Sequence, residues 1–143
     1  MTTKTSIWQR LWLVGWAPMG VIALHSAVAA MFGHQREYDP AFHFAGGAAG
    51  AYCLWRALQV FHASFGRLAG FNPVLVVMTV MVTVTCVWEV AEFASDRVLG
   101  THVQLGRADT AMDIALGIVG ASSAVGLAAL VNRSSGRPKS DTV

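Results

Sequence analysis

The chain has 143 residues, of which 55% are hydrophobic and only 13% are charged, and its mean hydropathy is +0.51. A typical soluble domain carries about 25% charged residues, and a small one needs a polar surface that ten basic and eight acidic residues do not easily supply. The composition therefore excludes a soluble globular domain, a disordered tail and a nucleic-acid-binding protein.

Four apolar segments are predicted to be membrane-spanning helices, each of which needs about 20 mostly apolar residues. Three charge-free runs have about this length: 11–35, 68–88 and 114–132. A fourth continues past Arg56, whose long side chain can reach the headgroups from the end of a helix. The prediction is an all-α, polytopic transmembrane four-helix bundle in one domain over residues 1–132, with spans at about 11–32, 40–61, 73–96 and 110–131. Residues 133–143 are predicted to be a polar, disordered cytoplasmic tail.

The first span has an alternative interpretation. Lys4 and Arg10, an apolar run and an A-x-A sequence at 27–29 are together similar to a secretory signal peptide. The apolar run is long for such a peptide and contains three tryptophans and His25, which favours a retained span.

Local signals mark helix starts and packing surfaces. Asp39 and Asn72 each precede a proline, which is typical of a helix N-terminus, and Asp109 can cap the last helix. Small residues are dense in the second and fourth spans and predict close helix packing in lipid. They are the Gly46/Gly50 pair and the group Gly117, Gly120, Ala121 and Ala124.

The charges are distributed asymmetrically across the predicted membrane. One side holds both termini and seven of the ten basic residues: Lys4, Arg10, Arg56, Arg67, Arg133, Arg137 and Lys139. The other side holds Arg36, Arg97, Arg107 and seven of the eight acidic residues. The inner side, with one acidic residue, has a net charge of +6, and the outer side has a net charge of −4. The positive-inside rule then places both termini in the cytoplasm.

Polar residues at helical spacing mark the outer end of three predicted helices. Residues three or four positions apart share a helix face. The second span carries Asp39 and His43. The third span carries Glu89, Glu92 and Asp96, and the fourth carries Asp109 and Asp113. Glu89 lies about 10 Å deeper than Asp96 along the helix axis. At that depth a carboxylate is expected to face the bundle interior, with a proton, a cation or a hydrogen-bond donor as its partner.

Three interpretations of these residues are open: a structural network of helix caps and arginine pairs, a metal or substrate site, and a proton or ion path. We favour a divalent-metal site, because carboxylates with an imidazole suit Zn, Mn or Fe. The predicted ligands are Asp39, His43, Glu89 and Asp113, and the predicted general base is Glu92. The predicted supporting or substrate-binding residues are Asp96, Asp109, Arg97, Arg107, His25 and His102. The outer loop over residues 97–108 could form a lid.

The motifs resemble a known family. They are Tyr38-Asp39-x-x-x-His43-Phe44, Trp88-Glu89-x-x-Glu92-Phe93, and Asp109-Thr110-x-x-Asp113 followed by Gly117 and Gly120. In this order they resemble the small bacterial inner-membrane proteins of the YjdF type, a family of unknown function, and more distantly the VanZ-like proteins associated with teicoplanin resistance. The resemblance implies a multi-pass protein of the bacterial cytoplasmic membrane. It carries over the motif positions Asp39, His43, Glu89, Glu92, Asp109 and Asp113 without a catalytic assignment.

The favoured hypothesis is metal-assisted hydrolysis of a lipid-linked or envelope substrate at the periplasmic face, with Arg97 or Arg107 holding an anionic headgroup. One alternative is a non-catalytic accessory or assembly subunit of a larger membrane complex. Another is a small cation or proton transporter, which would have to form a homo-oligomer. The expected partner in every case is membrane lipid, and nucleic acid is not expected.

Overall fold

The structure, a computed structural model, describes residues 6–33, 37–61 and 72–135, and the side chains of these as far as residue 131. The described residues form four helices: α1 (Ile7–Phe32), α2 (Asp39–Val60), α3 (Pro73–Leu99) and α4 (Arg107–Ser135). They confirm the predicted all-α helical bundle. Of the predicted tail at 133–143, residues 133–135 continue α4, and the rest of the tail, with Lys4, Arg36 and Arg67, lies outside the described residues.

Local sequence explains where the helices begin and end. α1 begins with a capping box, in which the Ser6 hydroxyl accepts from the Gln9 backbone N–H and the Gln9 side chain accepts from the Ser6 N–H. The Asn72 side chain accepts from the Val74 N–H at 2.9 Å and caps α3, as its position before a proline predicts. α3 ends at Gly100, which has a left-handed backbone with φ of 67°. The helix therefore continues three residues past the predicted end of the span at Asp96.

The helix at the centre of the bundle is not one of the long apolar helices. α2 packs against each of the other three helices, and its contact with α4 is the most extensive. Within the described ranges, three helical segments are long and apolar enough to cross a membrane, namely Ile7–Phe32, Pro73–Leu99 and Arg107–Val131. α2, which is rich in glycine and alanine, is not among them. Because its neighbours shield it, α2 needs less apolar surface than a helix that faces lipid.

Glycines let α2 and α4 approach until their backbones touch. A Cβ atom on Gly47 would collide with the backbone of Gly117, and one on Gly120 would collide with the Phe44 carbonyl. The small residues of the fourth span thus pack against α2 as their density predicts. The Gly46/Gly50 pair does not act as one packing surface. Gly50 lies against the Met81 side chain, whereas a Cβ on Gly46 would meet no atom within 4 Å.

Candidate metal centre at the outer end of the bundle

His43 is the centre of a polar cluster formed by three helices. It lies on α2, one turn after Asp39, and its Nε2 atom is 3.6 Å from Asp39 Oδ1. The same nitrogen lies 3.8 Å from Asp113 Oδ2 on α4, and Nδ1 lies 3.7 Å from Glu89 Oε1 on α3. The imidazole is 10% exposed, so the cluster is largely shielded from bulk solvent.

The four carboxylates belong to two sets that share His43. Asp39, His43 and Asp113 form one set whose nearest ligand atoms all lie within 4.8 Å of one another. His43, Glu89 and Glu92 form a second set that meets the same limit. Glu89 therefore faces a different ring nitrogen from Asp39 and Asp113, an arrangement that sequence spacing alone does not reveal.

The distances between these side chains suit a shared ion better than direct hydrogen bonds. A hydrogen bond between nitrogen and oxygen spans about 2.7–3.2 Å. Two atoms that bind one ion, each at about 2.0–2.2 Å, can lie as far apart as about 4.4 Å. The separations of 3.6 Å and 3.8 Å from His43 Nε2 to its two aspartate oxygens fall in that second range.

Two of the carboxylates are buried. Glu89 is 4% exposed and Asp113 is 3% exposed. Both side-chain oxygens of Glu89 are inaccessible and accept no hydrogen bond from the described residues. The His43 ring, which is cationic only when protonated, lies 3.7 Å from Glu89 Oε1. Burying an unpaired carboxylate costs several kcal/mol, so this group requires a proton or a nearby positive charge.

Glu92 is held by its own helix. Trp88 Nε1 donates to Glu92 Oε1 at 2.6 Å, which fixes the carboxylate one helical turn from the Trp88 indole. The exposed Trp88 ring lies on the outer half of α3. Trp88 is a site residue that sequence analysis did not select; its spacing of four residues before Glu92 was the available signal.

The predicted supporting arginines do not neutralise the buried acids. Arg97 and Arg107 are exposed, and the Arg97 guanidinium lies 5.1 Å from the centre of the Phe93 ring. Among the described residues, Glu89, Glu92 and Asp113 form no ion pair with an arginine. A network of arginine pairs therefore does not account for these three carboxylates in the described part of the chain.

Asp96 organises the connection between α3 and α4. Its carboxylate accepts from the Thr101 hydroxyl at 2.6 Å and from the backbone N–H groups of Val103 and Gln104 at 2.9 Å and 3.0 Å. The Gln104 side chain in turn reaches the Glu89 carbonyl oxygen at 3.5 Å. Asp96 thus fixes the loop beside the cluster and does not join the His43 groups. The predicted lid at 97–108 is shorter in the structure, because only residues 100–106 lie between the helices.

The remaining predicted site residues lie at the edge of the cluster. Asp109 accepts from the Leu105 N–H at 3.1 Å and so stabilises the start of α4, although the helix begins at Arg107 and Asp109 is not its N-cap residue. His102 is exposed on the loop. His25 on α1 packs against the Phe42 ring, with 4.7 Å between ring centres.

A cavity of about 210 Å³ adjoins the cluster between α1, α2 and α3. Asp39, His43 and His25 line its polar end. The rest of its wall is mostly apolar and includes Ile22 and Met81. The His43 cluster is therefore accessible from an apolar space.

Comparison with known proteins identifies the family. No curated protein and no solved structure gave a significant match. The family model described as "Predicted membrane protein (DUF2238)" matches residues 1–134. This match agrees with the YjdF-type resemblance, and together with the three long apolar helices it supports a membrane location. The chain belongs to the DUF2238 family of predicted membrane proteins.

Proposed function

We propose that the His43 cluster binds a divalent transition metal, Zn, Mn or Fe, at the periplasmic face of the bacterial inner membrane. The observation that carries this proposal is Glu89, which is 4% exposed and whose two side-chain oxygens accept no hydrogen bond within the described part of the chain. A cation bound beside Glu89 would compensate the negative charge of this buried carboxylate. The mixture of one imidazole with carboxylates suits these metals better than calcium, which prefers oxygen ligands.

The two sides of the imidazole suggest different roles for the carboxylates. Asp39 and Asp113 flank His43 Nε2 and would complete the first set of ligands. Glu89 faces Nδ1 and would accept a hydrogen bond from the Nδ1–H group. Glu89 would act only as this acceptor, or one of its oxygens would also bind the ion. A metal-binding histidine commonly donates its second N–H to a carboxylate, which fixes the ring orientation and strengthens the metal–nitrogen bond.

The chemistry that best fits such a site is hydrolysis of a lipid-linked or envelope substrate. A metal of this kind makes a bound water nucleophilic at neutral pH. Glu92, which Trp88 holds in place, would accept the proton of that water. Arg97 and Arg107, exposed at the same end, would attract an anionic headgroup.

Metal analysis of the purified protein tests the proposal. The protein is prepared in detergent without a histidine tag, incubated with Zn²⁺, freed of unbound ion and measured by elemental mass spectrometry. We expect about one ion per chain in the wild type and a strong loss in Asp113→Asn and His43→Ala. Glu37→Gln is the matched control, because Glu37 is exposed near the same end but outside both candidate sets.

Two results would contradict the proposal. One is a wild-type protein that retains no Zn²⁺, Mn²⁺ or Fe²⁺ after loading. The other is equal metal content in Asp113→Asn, His43→Ala and Glu37→Gln, which would locate the ion outside the cluster. Thermal unfolding of each variant shows separately whether it is folded.

A further inference from the structure

The helix α1 is attached to the bundle on one side only. Its extensive contact is with α2, and among the described residues no comparable contact joins it to α3 or α4. The space between α1 and α3 is the cavity of about 210 Å³ that reaches the His43 cluster. Its wall includes Ile22 and Trp88, both of which are also exposed on the outer surface, so the cavity opens sideways between two helices.

The cavity is elongated along the helix axes. On α1 its wall extends from His25 to Pro18, and on α3 it extends from Trp88 to Met81. Seven residues of a helix correspond to about 10 Å. One end of the cavity therefore lies at His43, and the other lies deep among apolar side chains.

We infer that this cavity holds the ester-proximal part of one acyl chain of a membrane phospholipid, whose phosphate or ester end lies at the His43 cluster. A side opening within apolar helices faces the acyl chains of the bilayer, and the wall offers a chain the same apolar surroundings that lipid does. Moving an acyl chain from the bilayer into the cavity therefore gains little free energy from the hydrophobic effect. Selection of the lipid depends on its polar end. This inference rests on the proposed metal, because carboxylates without a cation would repel a phosphate.

Gly46 offers a way to close the cavity without disturbing the cluster. It lines the cavity, and a Cβ atom there would meet no atom within 4 Å. A leucine at this position would occupy space that the acyl chain needs. The matched control is Gly126→Leu, since Gly126 is an exposed helical position on α4, also with no atom within 4 Å of a Cβ, and does not line the cavity.

Photolabelling in lipid nanodiscs tests the inference. The probe is a phosphatidylglycerol that carries a diazirine near the middle of one acyl chain, and the labelled residues are located by mass spectrometry. Met81 reports on the cavity, because it lines the cavity but is only 3% exposed. Leu127 is 65% exposed on α4 and reports on labelling by the surrounding bilayer.

We expect Met81 to be labelled in the wild type and in Gly126→Leu. The label at Met81 should be lost in Gly46→Leu. Leu127 should be labelled equally in all three proteins. Absence of label at Met81 in the wild type, or equal label in Gly46→Leu, would overturn the inference. So would displacement of the label by excess isoprenyl phosphate but not by excess unlabelled phospholipid. Metal content is measured on the same samples, so that failure of the cavity inference with metal present is distinguished from failure of the metal site itself.

Discussion

Gly47 of α2 lies directly against the backbone of Gly117 of α4, one helical turn below the residues that form the candidate site. Gly47 follows His43 by four residues, and Gly117 follows Asp113 by four. A close backbone contact of the two helices thus lies immediately beneath the pair of side chains whose Nε2 and Oδ2 atoms are 3.8 Å apart. The glycine contact sets the spacing of the site.

Gly47→Ala is therefore expected to damage both the fold and the site. A methyl group at this position would collide with Gly117, and overpacking of this kind costs about 1–3 kcal/mol. Thermal unfolding in detergent should show a lower midpoint, and Zn²⁺ titration should show weaker binding. Gly46→Ala is the matched control, because its methyl group meets no atom and alanine favours helix by up to about 1 kcal/mol. Equal behaviour of the two variants would contradict the assigned contact.

Glu89→Gln distinguishes the effect of the buried carboxylate on protein stability from its effect on metal affinity. The amide keeps the shape of the side chain but removes the negative charge beside the His43 ring. The metal affinity should fall by about 10–100-fold, which is typical when the carboxylate partner of a metal-binding histidine is replaced. The metal-free protein should be at least as stable as the wild type, because an uncompensated buried charge is removed. Calorimetric Zn²⁺ titration and thermal unfolding measure the two effects, and a destabilised metal-free variant with unchanged affinity would refute the assignment.

Asp96→Ala should affect the loop and leave the metal site intact. The substitution removes three acceptor contacts, to Thr101, Val103 and Gln104. Because the two backbone N–H groups lose their charged acceptor, the amides of residues 103 and 104 should exchange with solvent much faster. Amide hydrogen exchange reports the change. Loss of bound metal in this variant, with thermal stability retained, would show that Asp96 belongs to the site.

The predicted orientation can be tested with single cysteines in a background where Cys53 and Cys86 are replaced by serine. Glu37→Cys and His102→Cys should react with a membrane-impermeant maleimide from the periplasmic side, and Ser6→Cys should not. Asn72→Cys tests whether α2 crosses the membrane, because it should then be protected like Ser6→Cys. Labelling of Asn72→Cys from the periplasm would show that α2 does not cross.

The helical architecture could be predicted because membrane helices require long apolar runs, which are visible in one sequence. The residues that gather around His43 could also be predicted, since helical spacing and depth put His43, Glu89 and Asp113 on inward faces of adjacent helices. The division of the carboxylates between the two ring nitrogens could not, because it depends on side-chain rotamers and helix rotation. The same rotation decides that Gly47 contacts the α4 backbone, whereas a Cβ on Gly46 would meet no described atom within 4 Å.

The roles of the outer charges were harder to predict. Asp96 shares a helix face with Glu92, but the helix ends at Gly100. The loop that follows turns back, so that the backbone N–H groups of Val103 and Gln104 donate to Asp96. Arg97 and Arg107 are close in sequence to the acidic residues, yet both side chains are exposed at the helix ends. Sequence spacing describes a regular helix well and does not describe the path of a loop.

X-ray absorption spectroscopy of the Zn²⁺-loaded protein tests the central claim most directly, because it reports the atoms bound to the metal. The account predicts one imidazole nitrogen and carboxylate oxygens at about 2.0–2.2 Å, and loss of this spectrum in Asp113→Asn. A zinc shell with sulfur at about 2.3 Å would place the ion at Cys53 or Cys86. That result, or a spectrum of hydrated Zn²⁺ alone, would contradict a metal centre at His43.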